Sequence, residues 1–129
     1  MGKFSKDKGA RVERDFVSRL NDKGIRARRV PLSGAMPNYK NDMVLPWLGG
    51  EVDGEVKARA DGFKEIYKWI DPVKVLFIKA NRKQGLAVMR LEDFAELLHW
   101  ANLGHAIVGS ELTEWRTIEP VTSSQSVAA

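Results

Sequence analysis

Residues 51–59 read EVDGEVKAR, with Glu51, Asp53, Glu55, Lys57 and Arg59 at every second position. Successive side chains of a β-strand point to opposite faces, so this spacing predicts a strand carrying all five charges on one face. The other face holds Val52, Gly54, Val56 and Ala58, which suits packing against a core. A solvated strand face explains such a charge row, and so does a site assembled from its carboxylates and ammonium group.

The elements around this strand follow from the same kind of pattern. Val12, Phe16, Val17 and Leu20 recur at three- and four-residue spacing, which predicts an amphipathic helix from about residue 8 to 23 with Gly24 placed to end it. IRARRVPL reads as a short, extended, basic strand, and SGAMPNYK as a loop. NDMVLPWL gives a second strand from about Asp42, closed by Pro46 and Gly49-Gly50, and EVDGEVKAR is the third. FKEIYKWI places Phe63, Ile66, Tyr67 and Ile70 on one helical face, and Asp71-Pro72 stops that helix. VKVLFIKA is a continuous apolar run that predicts a strand buried on both faces. GLAVMRL reads as a further strand, joined to it through NRKQG by a hairpin or tight connection. LEDFAELLHWANLG predicts a helix with Leu91, Phe94, Ala95, Leu98 and Leu103 inward and Gly104 at its end. The order α-β-β-β-α-β-β-α describes an α/β fold with a central mixed sheet flanked by helices. We expect one domain over residues 1–120 and a disordered tail over 121–129, which contains SSQSVAA.

Composition narrows the chemistry. A chain of 129 residues with 43% apolar and 29% charged residues fits one globular domain. No apolar run approaches the roughly 18–20 residues that span a bilayer, and the basic stretch MGKFSKDKGARVER is not followed by the apolar core of a signal peptide. The absence of cysteine removes disulfides, thiol catalysis and cysteine-bound zinc, and suits a reducing interior. His99 and His105 are too few and too badly spaced for a zinc cage. The expectation is an intracellular, cytoplasmic and DNA-associated protein without a membrane partner. Residues 1–40 hold eleven Lys or Arg against four Asp or Glu, a net +7, while the other 89 residues carry −3. So uneven a distribution on a small domain is the expected footprint of a polyanion partner, above all nucleic acid, with a generic basic surface as the alternative.

Asp42, Glu55 and Lys57 form the string D-x(12)-E-x-K. If the second and third strands pair, the two carboxylates meet at one edge with the Lys57 ammonium beside them. Two carboxylates and a few waters make a hard oxygen site of the kind Mg²⁺ prefers. Such a metal lowers the pKa of a bound water and neutralises phosphodiester charge, and a neighbouring lysine stabilises the added charge of the transition state. A polar solvent-facing strand with weak Lys–Glu pairs remains the alternative for this string alone.

The first helix adds Lys8-Gly9 and Glu13-Arg14 in the pattern Lys-Gly-x-x-x-Glu-Arg. Gly24 through Arg29, Ser33, Asp42-Met43-Val44 and Glu55-Val56-Lys57 follow in order. In this joint pattern, over roughly residues 8–60, the chain resembles the archaeal-type Holliday junction resolvases, a branch of the PD-(D/E)XK nucleases with the restriction-endonuclease-like fold. The resemblance implies a metal-dependent, structure-selective endodeoxyribonuclease using Mg²⁺, with Mn²⁺ able to substitute, and hydrolysing phosphodiesters symmetrically across a four-way junction. It implies Glu13, Asp42, Glu55 and Lys57 as the catalytic set, with Asp42, Glu55, the Val56 carbonyl and Glu13 toward the metal. Lys8, Arg14, Arg29 and Ser33 would hold DNA phosphates. Members act as homodimers, assembled partly through an aromatic helix after the Glu-x-Lys strand, where Phe63, Tyr67 and Trp69 stand here; core packing is equally open for Phe63 and Tyr67. A relative cutting other DNA structures, or a DNA-binding domain without catalysis, are the competing readings. The chain departs from the pattern at Asn41, in place of proline, and in the length of the loop from Ser33 to Asp42.

The remaining candidates carry weaker arguments. Glu51 and Asp53 share the expected face of Glu55 but lie further along the strand and read as solvated. Arg26 and Arg28 read equally well as surface or DNA contacts. His99, at a helix end, and His105, in a loop, read as structural or exposed. Trp47, Trp69, Trp100 and Trp115 lack the basic interleaving of a base-stacking platform and suit core or interface positions.

Overall fold

The computed structural model describes residues 2–30 and 42–111, and side chains for 8–30 and 42–109. Its elements run α1 (Gly2–Asp22), β1 (Arg28–Arg29), β2 (Met43–Trp47), β3 (Gly50–Gly54), α2 (Lys64–Ile70), β4 (Val75–Ile78), β5 (Leu86–Met89) and α3 (Leu91–Glu111). The α/β class and the order of elements are those expected from the pattern. Among the described residues the strands pair in two antiparallel sheets, β1-β2-β3 and β4-β5. Ser33, most of the loop that carries it and the tail over 121–129 lie outside the described residues.

Helix α1 ends as its glycine dictates. Gly24 has φ +89°, a conformation that costs a residue with a β-carbon. The Ile25 N–H donates to the Leu20 carbonyl at 2.9 Å and the Gly24 N–H to that of Asn21 at 3.0 Å. This is a Schellman cap, with the apolar pair Leu20 and Ile25 closing it in the core. The Asn21 side chain then donates to the Val17 and Ala27 carbonyls, fixing the direction in which the chain leaves toward β1.

β2 is the middle strand of the larger sheet, antiparallel to β1 with Arg29 opposite Met43 and to β3 with Met43 opposite Gly54. It continues through Pro46 to Trp47, past the proline expected to close it, and the turn lies at Leu48 and Gly49 with φ +47° and +88°. Two successive positive φ values are the signature of the hairpin turn that matches strand twist. Asn102 of α3 secures this turn, accepting from the Leu48 N–H at 2.7 Å and donating to the Pro46 carbonyl at 3.2 Å.

Alternation along β2 turns Met43 and Leu45 toward a core shared with Leu20, Ile25 and Ala27 from α1 and its exit, and with Ala95 and Leu98 from α3. α3 packs on both α1 and β2. Its register is tight against two glycines: a β-carbon on Gly24 would lie 2.7 Å from the His99 ring, and one on Gly49 2.6 Å from the His105 ring. His99 is therefore inside the helix, not at its end, and His105 is helical rather than in a loop. α3 runs through Gly104, where added side-chain atoms would meet nothing within 4 Å, so helical propensity and context override the glycine as a stop. Leu103 is correspondingly exposed, not inward.

The β4–β5 hairpin also departs from expectation. Ile78 pairs with Leu86, closing a hairpin over the expected connection, but Phe77 is 77% exposed and Leu86 60%. Phe77 lies on an uncovered face of this hairpin, so the apolar run of β4 is not buried on both sides. In α2, Ile70 is buried as its spacing requires, whereas Tyr67 is 73% exposed and Trp69 51%.

Candidate active site

The site grows from the end of the β2–β3 hairpin opposite its turn. With Met43 opposite Gly54, Asp42 and Glu55 are the first residues beyond the ladder on each strand. Gly54 permits this closure, because a β-carbon there would press on the Met43 side chain at 3.0 Å. β3 stops at Gly54, so Glu55 through Arg59 are not part of the continuous strand that their alternation suggests. The cause is local. β2 begins only at Met43 and offers no further strand backbone, and the Val56 N–H bonds instead to the Asp42 carboxylate, Oδ2, at 2.8 Å. A side chain takes over where the ladder ends, and it draws Glu55-Val56-Lys57 around Asp42.

On this segment Lys57 Nζ lies 3.2 Å from Glu55 Oε1, with both side chains about half exposed. Asp42 is half-buried, anchored on its other side by the Val30 N–H donating to its carbonyl at 3.0 Å. Asp42, Glu55 and Lys57 are thus brought to one place by two strands and one side-chain hydrogen bond. Asp42 and Glu55 offer carboxylate oxygens only, the donor chemistry that a hard divalent cation would take.

Glu13 is placed differently. Its Oε2 accepts from Arg29 Nε at 3.2 Å and Nη2 at 2.9 Å, a half-buried pair that ties α1 to β1. Among the described residues no group of three Asp, Glu or His converges in a way that would hold a metal, and the partner of Glu13 is Arg29. A cation paired to a half-buried carboxylate holds its own position as well, so Arg29 is fixed on β1. Lys8 and Arg14 are exposed on α1, and Arg26 is exposed beyond its cap. Arg28 reaches Glu51 across the sheet at 3.3 Å, which accounts for Glu51 as a structural partner in a weak, solvated pair.

Sequence reasoning missed one neighbourhood. The stretch after Lys57, with Arg59 and then Lys64 and Tyr67 of α2, borders a cavity that Lys57 also lines. Nothing in the alternation of 51–59 signalled it, because the chain has left the sheet by then. The exposure of Tyr67 on an otherwise inward helical face is the feature that reveals it.

The family model for the archaeal Holliday junction resolvase (Hjc) matches residues 4–91. No curated protein and no solved structure gives a match. The matched span takes in α1 except for its first two residues, both hairpins and every candidate site position from Lys8 to Lys57, and α3 lies beyond it except for its first residue. With more than half of its 129 residues matched, the chain belongs to the archaeal Holliday junction resolvase family.

Proposed function

We propose that the protein is a Mg²⁺-dependent endodeoxyribonuclease that resolves four-way DNA junctions by paired, symmetric phosphodiester cuts, acting as a homodimer inside the cell. The observation that carries the chemistry is the meeting of Asp42 and Glu55 at the end of the β2–β3 hairpin, with Lys57 3.2 Å from Glu55. Family membership supports the substrate.

In this reading Asp42 and Glu55, with the Val56 carbonyl, hold the cation, with Mn²⁺ able to replace Mg²⁺. Such a cation, when bound, would supply an activated water and offset charge on the phosphate. Asp42 keeps its orientation because one oxygen is already committed to the Val56 N–H. Lys57 exchanges its weak, exposed pair with Glu55 for the phosphate oxygens, stabilising the extra negative charge of the pentacovalent state. Arg29, steadied by Glu13, receives a phosphate, while Lys8, Arg14 and Ser33 grip the backbone further along. Glu13 acts through Arg29 in this arrangement, and joins the cation directly if Arg29 turns to DNA.

A junction presents two equivalent strands, and an isologous dimer presents two equivalent sites. Exposed apolar side chains on the outer side of α3, Leu97 and Trp100 above all, support an assembly that covers them. No helix among the described residues is long and apolar enough to cross a membrane.

The test compares wild type with Glu55→Ala on labelled four-way junction, duplex and single-stranded DNA in Mg²⁺. Paired symmetric nicks on the junction alone, lost in the variant, establish the resolvase. Equal cutting of duplex leaves a nuclease of other preference. Tight binding without cutting in Mg²⁺ or Mn²⁺ leaves a DNA-binding domain.

A further inference from the structure

After Lys57 the chain passes through Ala58–Asp61 and enters α2, and between this passage, α1 and α2 lies an open cavity of about 420 Å³. Its volume is at the small end of the range for ligand sites. Phe16, Phe63 and Tyr67 contribute aromatic wall, and Lys57, Arg59 and Lys64 stand around it against a single acid, Asp61. The Lys64–Asp61 pair, at 2.9 Å, has both side chains about three-quarters exposed, so it yields readily to a stronger anion. Tyr67 is 73% exposed and belongs to neither of the ring–ring contacts found among the described residues, Trp47–Phe94 and His99–Trp100.

We propose that this cavity is a nucleobase subsite, taking the base of a nucleotide adjacent to the scissile phosphate, unstacked from its neighbours at the branch point. The inference rests on the nuclease reading of Asp42, Glu55 and Lys57 and specifies what those residues' substrate does next to them. Three features select this occupant. The cavity shares Lys57 with the site, so whatever fills it is continuous with the chain being cut. The excess of cations matches the phosphates that flank a base. The aromatic wall offers a sequence-tolerant stacking surface, since every base has a π-face. A branch point is also where unstacking costs least, because the helical stack is already interrupted there. Tyr67 stacks on the base, and Arg59 and Lys64 hold the phosphates on either side.

The experiment uses junctions with one abasic nucleotide placed in turn at each position around the exchange point. Binding is measured without divalent cation, so that cutting does not intervene, for wild type, Tyr67→Ala and Tyr67→Phe, with assembly state followed by sedimentation. Wild type should lose about tenfold in affinity when one particular base is missing. Tyr67→Ala should lose about tenfold on the intact junction and no more on that abasic one, with Tyr67→Phe restoring the wild-type response. Full additivity of the two losses at every position, or undiminished binding by Tyr67→Ala, overturns the subsite. So does a loss that follows dissociation of the assembly equally at all positions. Wild type that binds and cuts junctions in Mg²⁺ while showing additive losses overturns the subsite alone. Wild type that neither binds nor cuts them overturns the junction-resolvase reading together with it.

Discussion

The Asp42 carboxylate accepts the backbone N–H of Val56 at 2.8 Å, across the open end of a hairpin whose ladder has just run out. One hydrogen bond therefore does two things: it completes the local fold, and it places Glu55 and Lys57 beside Asp42. The two roles separate by substitution. Asp42→Asn retains an acceptor for the Val56 N–H and should change stability by less than about 1 kcal/mol, yet remove junction cleavage through loss of the carboxylate charge. Asp42→Ala leaves the N–H without its partner and should cost a further 1–2 kcal/mol or so. Urea unfolding and cleavage, measured on both variants, check the separation, and equal stability of the two would show that the bond contributes nothing to the fold.

Gly24→Ala tests the α1 cap. The substitution forces a side chain into φ +89° and sets a β-carbon 2.7 Å from the His99 ring. Strain and displacement of His99 together should lower stability by about 2–3 kcal/mol, read from the denaturation midpoint. A double variant that also shortens His99 to Ala should recover the steric part and leave the backbone part.

Glu13 and Arg29 form a half-buried pair, and their coupling is measurable. Glu13→Ala and Arg29→Ala should each weaken stability, with a double-mutant cycle giving a coupling on the order of 0.5–1.5 kcal/mol. If Glu13 works through Arg29, Arg29→Ala and Glu13→Ala should lower junction affinity in the absence of metal to a similar extent. A purely metal-binding Glu13 would leave metal-free affinity unchanged or raised.

The exposed arginine of α1 should behave as a phosphate contact. Arg14→Ala is expected to weaken junction binding, with the slope of log K against log salt reduced by about 1, and with no change in which DNA shape is preferred. Titrations at three or four salt concentrations suffice, and an unchanged slope would place Arg14 off the DNA.

The outer side of α3 should matter for assembly. Trp100→Arg introduces a charge into a stretch, Leu97 to Ser110, that has none. If copies of the chain meet there, sedimentation will show wild type as a dimer and the variant as a monomer, and junction cutting will change from paired to single nicks. A variant that stays dimeric moves the interface to another face.

How far these features were legible in the sequence depended on whether they were local. The helical stripe of Val12, Phe16 and Leu20 and the glycine after it specified α1 and its end, because apolar spacing and the need for positive φ act within a few residues. The alternation of residues 51–59 was misleading beyond Gly54: a strand also needs a neighbour, and the length of β2 is written elsewhere in the chain. The run VLFI of β4 carried the composition of a buried strand, while its burial depended on partners that the sheet does not provide. The proposal for Asp42, Glu55 and Lys57 came from spacing and resemblance, and the pairing of Met43 with Gly54 is what sets Asp42 and Glu55 at one end of the hairpin. That Glu13 engages Arg29 was not legible, since it depends on how α1 lies against β1. Gly104 ended the helix on paper only, because a single glycine costs about 1 kcal/mol and the surrounding apolar residues outweigh it.

The contact between His99 and Gly24 has a bearing on what counts as a minimal piece of this protein. Recognition of the family stops at Leu91, but Ala95 and Leu98, both buried against Leu20 and Leu45, come after it, as do the two rings that close over Gly24 and Gly49. A fragment ending where the likeness ends would expose the inner side of α1 and release the turn that Asn102 secures. The packed unit is therefore longer than the stretch the family model matches, and the hairpin that ends at Asp42 rests on a helix beyond it.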